Sequence, residues 1–167
     1  LLARQDIEFD IYNNHLDVIM DELAPHMRKY AEIIKNHYGL DEMTYADLKL
    51  SIDSDYEPKV SFEKARDYIL DGLSPLGEDY VKILETAFSD RWIDYAQNFG
   101  KRTGAFCASP YLSHPFIMTT YNESMSQVMT LAHELGHAGQ GVLSNANQNA
   151  LAADMSMYFV EAPSTAN

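Results

Sequence analysis

From Asp10 to Tyr38 apolar side chains return at helical intervals: Ile11, Tyr12, Leu16, Ile19, Leu23, Met27, Tyr30, Ile33 and Ile34. Pro25 interrupts this run and predicts either two helices or one kinked helix. Gly39 is placed to end the segment. Residues 41–60 hold no sustained period, and acidic groups gather around 51–58. Ser61 can cap a further helix through about Leu73, and Pro75 can open another through about Phe88.

Past Gly100 the texture changes. Residues 100–109 (GKRTGAFCAS) and 115–121 (PFIMTTY) are short, aromatic and β-branched, which predicts two antiparallel strands. Ser124-Met125-Ser126-Gln127 reads as a capping box. The helix it opens runs through Val128, Leu131, Leu135 and His137 to about Gly141. A polar loop, 144–149, then turns the chain back toward a last helical segment starting near Asp154. The predicted fold is mainly α with a small antiparallel β-sheet, without repeats or low-complexity tracts.

Composition narrows the class. The 167 residues carry 12 basic and 25 acidic side chains, a net charge of −13, with 46% apolar and 22% charged residues. That balance belongs to an ordinary soluble globular chain long enough to bury a core. It argues against nucleic acid and against anionic membranes, both of which need clustered Lys and Arg. No apolar run approaches the ~20 residues that span a bilayer, and LLARQDIEFD is no secretory signal. A single cysteine, Cys107, excludes an internal disulfide and favours a reducing, cytoplasmic setting. The chain starts on Leu and stops inside a patterned segment without a helix stop signal, so it reads as an excerpt of a longer polypeptide.

The chemistry concentrates on the capped helix, at His133-Glu134-Leu135-Gly136-His137. Four residues advance a helix by ~6 Å and turn it by ~40°, so both imidazoles leave one face on adjacent turns. Two nitrogens so placed can converge on one zinc ion at about 2.0–2.1 Å. Glu134 is offset round the helix and can reach a water at that site without becoming a ligand, as a general base does. A catalytic zinc needs a third protein ligand. Glu161, 24 residues after His137, is the candidate, because a lone carboxylate among Met155, Met157, Tyr158, Phe159 and Val160 would be costly to bury unpaired. Pro163 either kinks or ends the segment that carries it.

Other residues read more plainly. Gly136 and Gly139 each cost a helix up to ~1 kcal/mol, which implies close packing by another element or room for a ligand; Gly141 reads as a frayed end. His15, His26 and His37 recur every eleven residues, too far apart along a helix to share a metal, and read as surface positions. His114 reads as a turn residue, Lys101 and Arg102 as a solvent-facing strand start, and Cys107 as a small packed apolar residue. Met118, Met125, Met129, Met155 and Met157 read as core filling.

Three segments in order, GKRTGAF (100–106), SHPFIMTTYNESMSQVMTLAHELGHAGQ (113–140) and FVEAPST (159–165), resemble the oligoendopeptidase F family, zinc peptidases related to thimet oligopeptidase. The resemblance implies a zincin-like catalytic core, here incomplete, with residues 1–99 its helical part and 100–167 its zinc-binding part. It implies His133, His137 and Glu161 as ligands of one Zn2+ ion and Glu134 as general base. It implies internal cleavage of short, unstructured peptides in a channel that excludes folded proteins. Members of the family are several times longer and carry a downstream His- and Tyr-containing segment that holds the oxyanion. This chain has no counterpart, so by itself it is expected to be a poor protease.

The expected function is therefore a zinc metalloendopeptidase of the oligopeptidase type, a hydrolase whose partners are short peptide substrates and, for an excerpt, the rest of the parent polypeptide. A peptide backbone would add to a strand near 103–107 or 116–120 by β-augmentation. The alternative is an inactive zinc- or peptide-binding fragment. A closed structural zinc site would be Cys-rich, which one cysteine does not support.

Overall fold

The computed structural model describes residues 2–53, 56 and 58–167. Contacts divide the chain into two units, Leu1–Glu57 and Pro58–Asn167.

The first unit is built on the helical run seen in the pattern. Helix α1 (Phe9–Val18) passes through a wide π-turn (Ile19–Leu23) into α2 (Ala24–Tyr38). Pro25 lies in the first turn of α2, where a missing N–H breaks no intrahelical bond. The division expected there takes the form of the π-turn rather than a break. Gly39 ends α2 in the left-handed region at φ 63°, and its own N–H and that of Leu40 bond back to the carbonyls of Asn36 and Lys35. Ile34 is fully buried, whereas Ile11, Leu16, Met27 and Ile33 stay exposed.

The second unit begins with α3 (Phe62–Gly72), capped by Ser61, whose Oγ accepts the Lys64 N–H at 3.3 Å. A 3-10 turn (Ser74–Leu76) leads into α4 (Glu78–Ser89). Three short strands follow: β1 (Ile93–Asp94), β2 (Ala105–Ala108) and β3 (Phe116–Thr119). Their order is β1-β3-β2. β2 pairs antiparallel with β3, with Cys107 opposite Ile117, as the pattern predicts. β1 pairs parallel to β3, with Ile93 opposite Ile117, so the sheet is mixed rather than antiparallel. A two-residue strand carries no alternation to read, which is why β1 left no signal.

Lys101 corrects another expectation. Its side chain is only 8% exposed, with Nζ 3.0 Å from Asp94 Oδ1 and donating to the carbonyls of Asp94 and Ala96 at 2.9 and 2.8 Å. It ties the end of β1 to the approach to β2 instead of facing solvent.

Helix α5 (Met125–Asn147) crosses this unit. Val128, Leu131, Leu135 and Ala138 form its buried face, packed with Ala65 and Ile69 of α3, Leu84 and Ala87 of α4, and Trp92, Ile93, Ile117 and Tyr121. Only half of the expected capping box forms. Ser124 Oγ accepts the Gln127 N–H at 3.3 Å, but the Gln127 side-chain oxygen accepts from Thr119 Oγ1, and the Ser124 N–H goes to Asn122 Oδ1. The helix also runs one and a half turns beyond the expected end near Gly141. Ser144, Asn145 and Asn147 keep their side chains satisfied inside it by donating to the carbonyls of Ala153, Pro110 and Leu143. Residues 148–160 are turns, not helix. Ser156 supplies both its carbonyl and its hydroxyl to following backbone N–H groups, the local competition that disfavours a helix start at Asp154. The last helix, α6, is Glu161–Ala166.

Candidate metal centre

Two elements build the site. Helix α5 carries His133, Glu134 and His137, and α6 presents Glu161 from its first residue. The histidine rings lie 4.9 Å apart between centroids, with their planes at 87°. Glu161 Oε2 is 3.2 Å from His133 Nε2 and 3.3 Å from His137 Nε2. One ligand atom from each of the three lies within 4.8 Å of the others, an arrangement able to hold a metal ion.

The backbone explains how the carboxylate gets there. A Cβ on Gly136 would sit 2.6 Å from Ser164 Cα and 2.9 Å from the Pro163 carbonyl oxygen, so only glycine lets α6 lie directly on α5. Gly139 likewise faces the Tyr80 ring. Gly141 is no frayed end: it lies inside α5, and a Cβ there would collide with the Ser109 side chain. Pro163 falls in the first turn of α6, among N–H groups that lack helical partners anyway, and neither kinks nor ends the helix. Asn167 closes the contact by donating to the Ala132 carbonyl at 3.0 Å and accepting from Tyr80 Oη at 2.8 Å.

Electrostatics separate the four groups. Glu134 is 6% exposed, and burial raises its carboxyl above the ordinary range, with His133 opposing and the Glu161 charge adding to the rise. Burial lowers His137, against the pull of the Glu161 carboxylate, which favours the neutral imidazole that a metal requires. The Glu161 side chain is 64% exposed, so the premise that it is buried among apolar neighbours is wrong, although it faces both histidines. Ser164 went unnoticed in the sequence. It is 3% exposed, with its Oγ 3.0 Å from Glu161 Oε2 and 3.0 Å from the Glu161 carbonyl oxygen. Its position three residues after Glu161, one helical turn on, is the signal that would have found it.

These groups open into a cavity of about 760 Å3, with Phe106 and Cys107 of β2 on one side and Met155, Met157 and Val160 on another. A larger cavity, about 940 Å3, adjoins the sheet between Phe62, Trp92 and Phe116, away from the histidines. Met155 and Met157 therefore border the site and, like Met129, are exposed rather than core; Met125 packs against the core. Burial pushes the Cys107 thiol up to about 11. His15, His26 and His37 are exposed on α1 and α2. His114 Nδ1 lies 2.7 Å from the Pro115 carbonyl oxygen, and its ring stacks on Trp92. Arg102 is exposed. Of the two strands proposed to take a peptide, β3 is flanked on both sides, whereas β2 has no further neighbour among the described residues.

Known proteins resemble this chain in sequence and in fold. The sequence model of peptidase family M3 matches residues 5–167. Oligopeptidase PepF of Bacillus subtilis is 33% identical over 166 residues, which are 99% of this chain and 25% of that protein. An oligoendopeptidase F homolog of Borreliella burgdorferi is 32% identical over 99% of this chain and 28% of its own length. A crystal structure from Chlamydophila abortus superposes with a TM-score of 0.84 at 28% identity, covering 98% of this chain and 27% of that one. PZ peptidase A shares the fold with a TM-score of 0.73 at 19% identity, over 98% of this chain and 30% of that one. The chain thus spans about a quarter of the length of the curated relatives it matches. A match that runs over almost every residue, on a fold those structures share, makes this chain a member of peptidase family M3, among its oligoendopeptidase F proteins.

Proposed function

We propose that these residues are the zinc-binding part of a cytoplasmic metalloendopeptidase that cuts short, unstructured peptides internally. His133, His137 and Glu161 would hold the ion. The observation that carries the reading is the spacing of donors. Tetrahedral bonds of about 2.0–2.1 Å place ligand atoms about 3.3 Å apart, and Glu161 Oε2 stands 3.2 and 3.3 Å from the two Nε2 atoms. Two imidazoles and a carboxylate are a common catalytic zinc set that leaves a position open.

When bound, zinc supplies Lewis acidity toward the scissile carbonyl and the attacking water. This chain's own residues would move the proton and hold the peptide. Glu134 takes the proton from that water as it attacks, then delivers it to the leaving amine; its raised pKa suits a group that must both accept and release a proton. The edge of β2 that has no neighbour among the described residues lies beside the cavity and can hold an extended peptide by backbone hydrogen bonds, a mode that reads backbone more than side chains. The chain's net charge of −13 disfavours nucleic acid as the substrate, because phosphates need clustered cations.

The experiment uses the full-length protein with a quenched fluorescent peptide. Glu134→Gln should lower kcat by about 10²–10⁴ while one zinc per chain is retained. Undiminished turnover with zinc in place would overturn the general-base role, and hydrolysis that survives chelation would overturn the zinc mechanism. A second reading, for these residues taken alone, is a zinc- or peptide-binding segment without turnover. A full-length protein that binds zinc and peptide but hydrolyses nothing would favour that reading for the whole.

A further inference from the structure

We infer that Ser164 is a positioning residue of the metal centre, its hydroxyl holding the Glu161 carboxylate toward the two imidazoles. The inference rests on the metal reading above and adds the group that makes the third ligand ready before the ion arrives.

Glu161 needs such help. Its side chain is 64% exposed, and a glutamate in water spreads over many rotamers, all but one of which metal binding must remove. His133 and His137 are set by a long, packed helix, but Glu161 stands at the start of a six-residue one. Ser164 offers the fixed point. It is 3% exposed, and its Cα lies where a Cβ on Gly136, between the two histidines, would be 2.6 Å away. The hydroxyl is thereby referenced to the stretch of α5 that carries both imidazoles. Its one proton has two acceptors at 3.0 Å, the Glu161 carbonyl and carboxylate Oε2. The charged acceptor makes the stronger bond. That oxygen is the same one that faces both Nε2 atoms. Hydrogen bonds to ligating carboxylates of this kind are worth about 10–100-fold in metal affinity.

The test measures zinc affinity of the full-length protein by competition with a chromogenic chelator. Wild type is compared with Ser164→Ala, Ser164→Thr and Glu161→Ala. Ser164→Ala should weaken zinc binding about 10–100-fold, less than Glu161→Ala does, and should shift the visible spectrum of the cobalt-substituted protein. Ser164→Thr keeps the hydroxyl and should recover most of the affinity. The metal-free Ala variant should melt within a degree or two of metal-free wild type, which separates positioning from a packing role. Equal zinc affinity in wild type and Ser164→Ala overturns the inference and leaves the metal centre standing. Equal losses in the Ala and Thr variants assign the effect to packing and overturn it too. A wild type that takes up no zinc overturns the metal reading, and the inference falls with it.

Discussion

Cys107 borders the metal cavity, yet its surroundings make it inert. Burial pushes its thiol up to about 11; the Ser109 hydroxyl, 3.8 Å from Sγ, lowers it slightly and the Glu134 charge raises it. At pH 8 such a thiol is ionised to about one part in a thousand, against roughly a quarter for a free thiol. Because only the thiolate is nucleophilic, alkylation by iodoacetamide should be slow at pH 8 and climb until about pH 11. Mass spectrometry of the Cys107 peptide follows it directly; a midpoint near the free-thiol value would show the environment to be misread. The identities of single residues were the most legible part of this chain. His133, Glu134 and His137 announce themselves by spacing, since a helix converts sequence interval into direction. The sequence singles out Glu161 by the cost of burying a carboxylate, a reason that does not hold because it is exposed, yet the fold brings it to both histidines. Lys101 reads as solvent-facing in the sequence, because its oxygen partners come from the end of the two-residue strand β1 and from Ala96 just after it, which leave no periodic trace.

Between elements, backbone approach decides more than propensity. Gly136→Ala favours the helix by up to ~1 kcal/mol, but its Cβ meets backbone atoms of Ser164 and Pro163 that cannot rotate away. Overpacking of this kind costs about 1–3 kcal/mol and displaces α6, so the variant should lose stability in denaturant and bind zinc more weakly. Gly139→Ala meets the Tyr80 ring rather than backbone, and the ring can give way only by loosening its bond to Asn167, so this variant too should lose stability. Equal stability and zinc affinity in Gly136→Ala and wild type would refute the close approach as the reason for glycine. Both glycines were legible as points of contact, since each carries a propensity cost that packing must offset. The extent of α5 was not. Ser144, Asn145 and Asn147 look like a loop because their side chains compete with the backbone; Asn147 bonds back one turn to Leu143, while Ser144 and Asn145 are held by Ala153 and Pro110 outside the helix. The same local competition by Ser156, unopposed, turns the expected helix at 154 into turns.

Across the whole chain, the mainly helical fold class with a small sheet followed from periodicity. The parallel strand β1 did not, because its pairing with β3 links residues far apart in sequence and its length carries no pattern. The site's four residues all lie in the unit Pro58–Asn167, on two helices joined by turns. A six-residue helix is too short to persist without tertiary contacts. α6 is held by the Gly136 contact, by Asn167 bridging Tyr80 and Ala132, and, on the zinc reading, by an ion bonded to both helices. Zinc at a hundred times its Kd adds about 2.7 kcal/mol to whatever state binds it, and that energy falls on the junction of α5 with α6. Hydrogen exchange of the full-length protein, with zinc and after chelation, should show it. Residues 149–167 should lose protection when zinc is removed, and 133–141 to a lesser degree, since a long packed helix stands without the ion. Peptides from α1 and α2, which carry none of the four residues, should exchange as before. A loss spread evenly over the chain would mean that zinc sets global stability instead, and no change in 149–167 would mean that the last helix owes its place to packing alone.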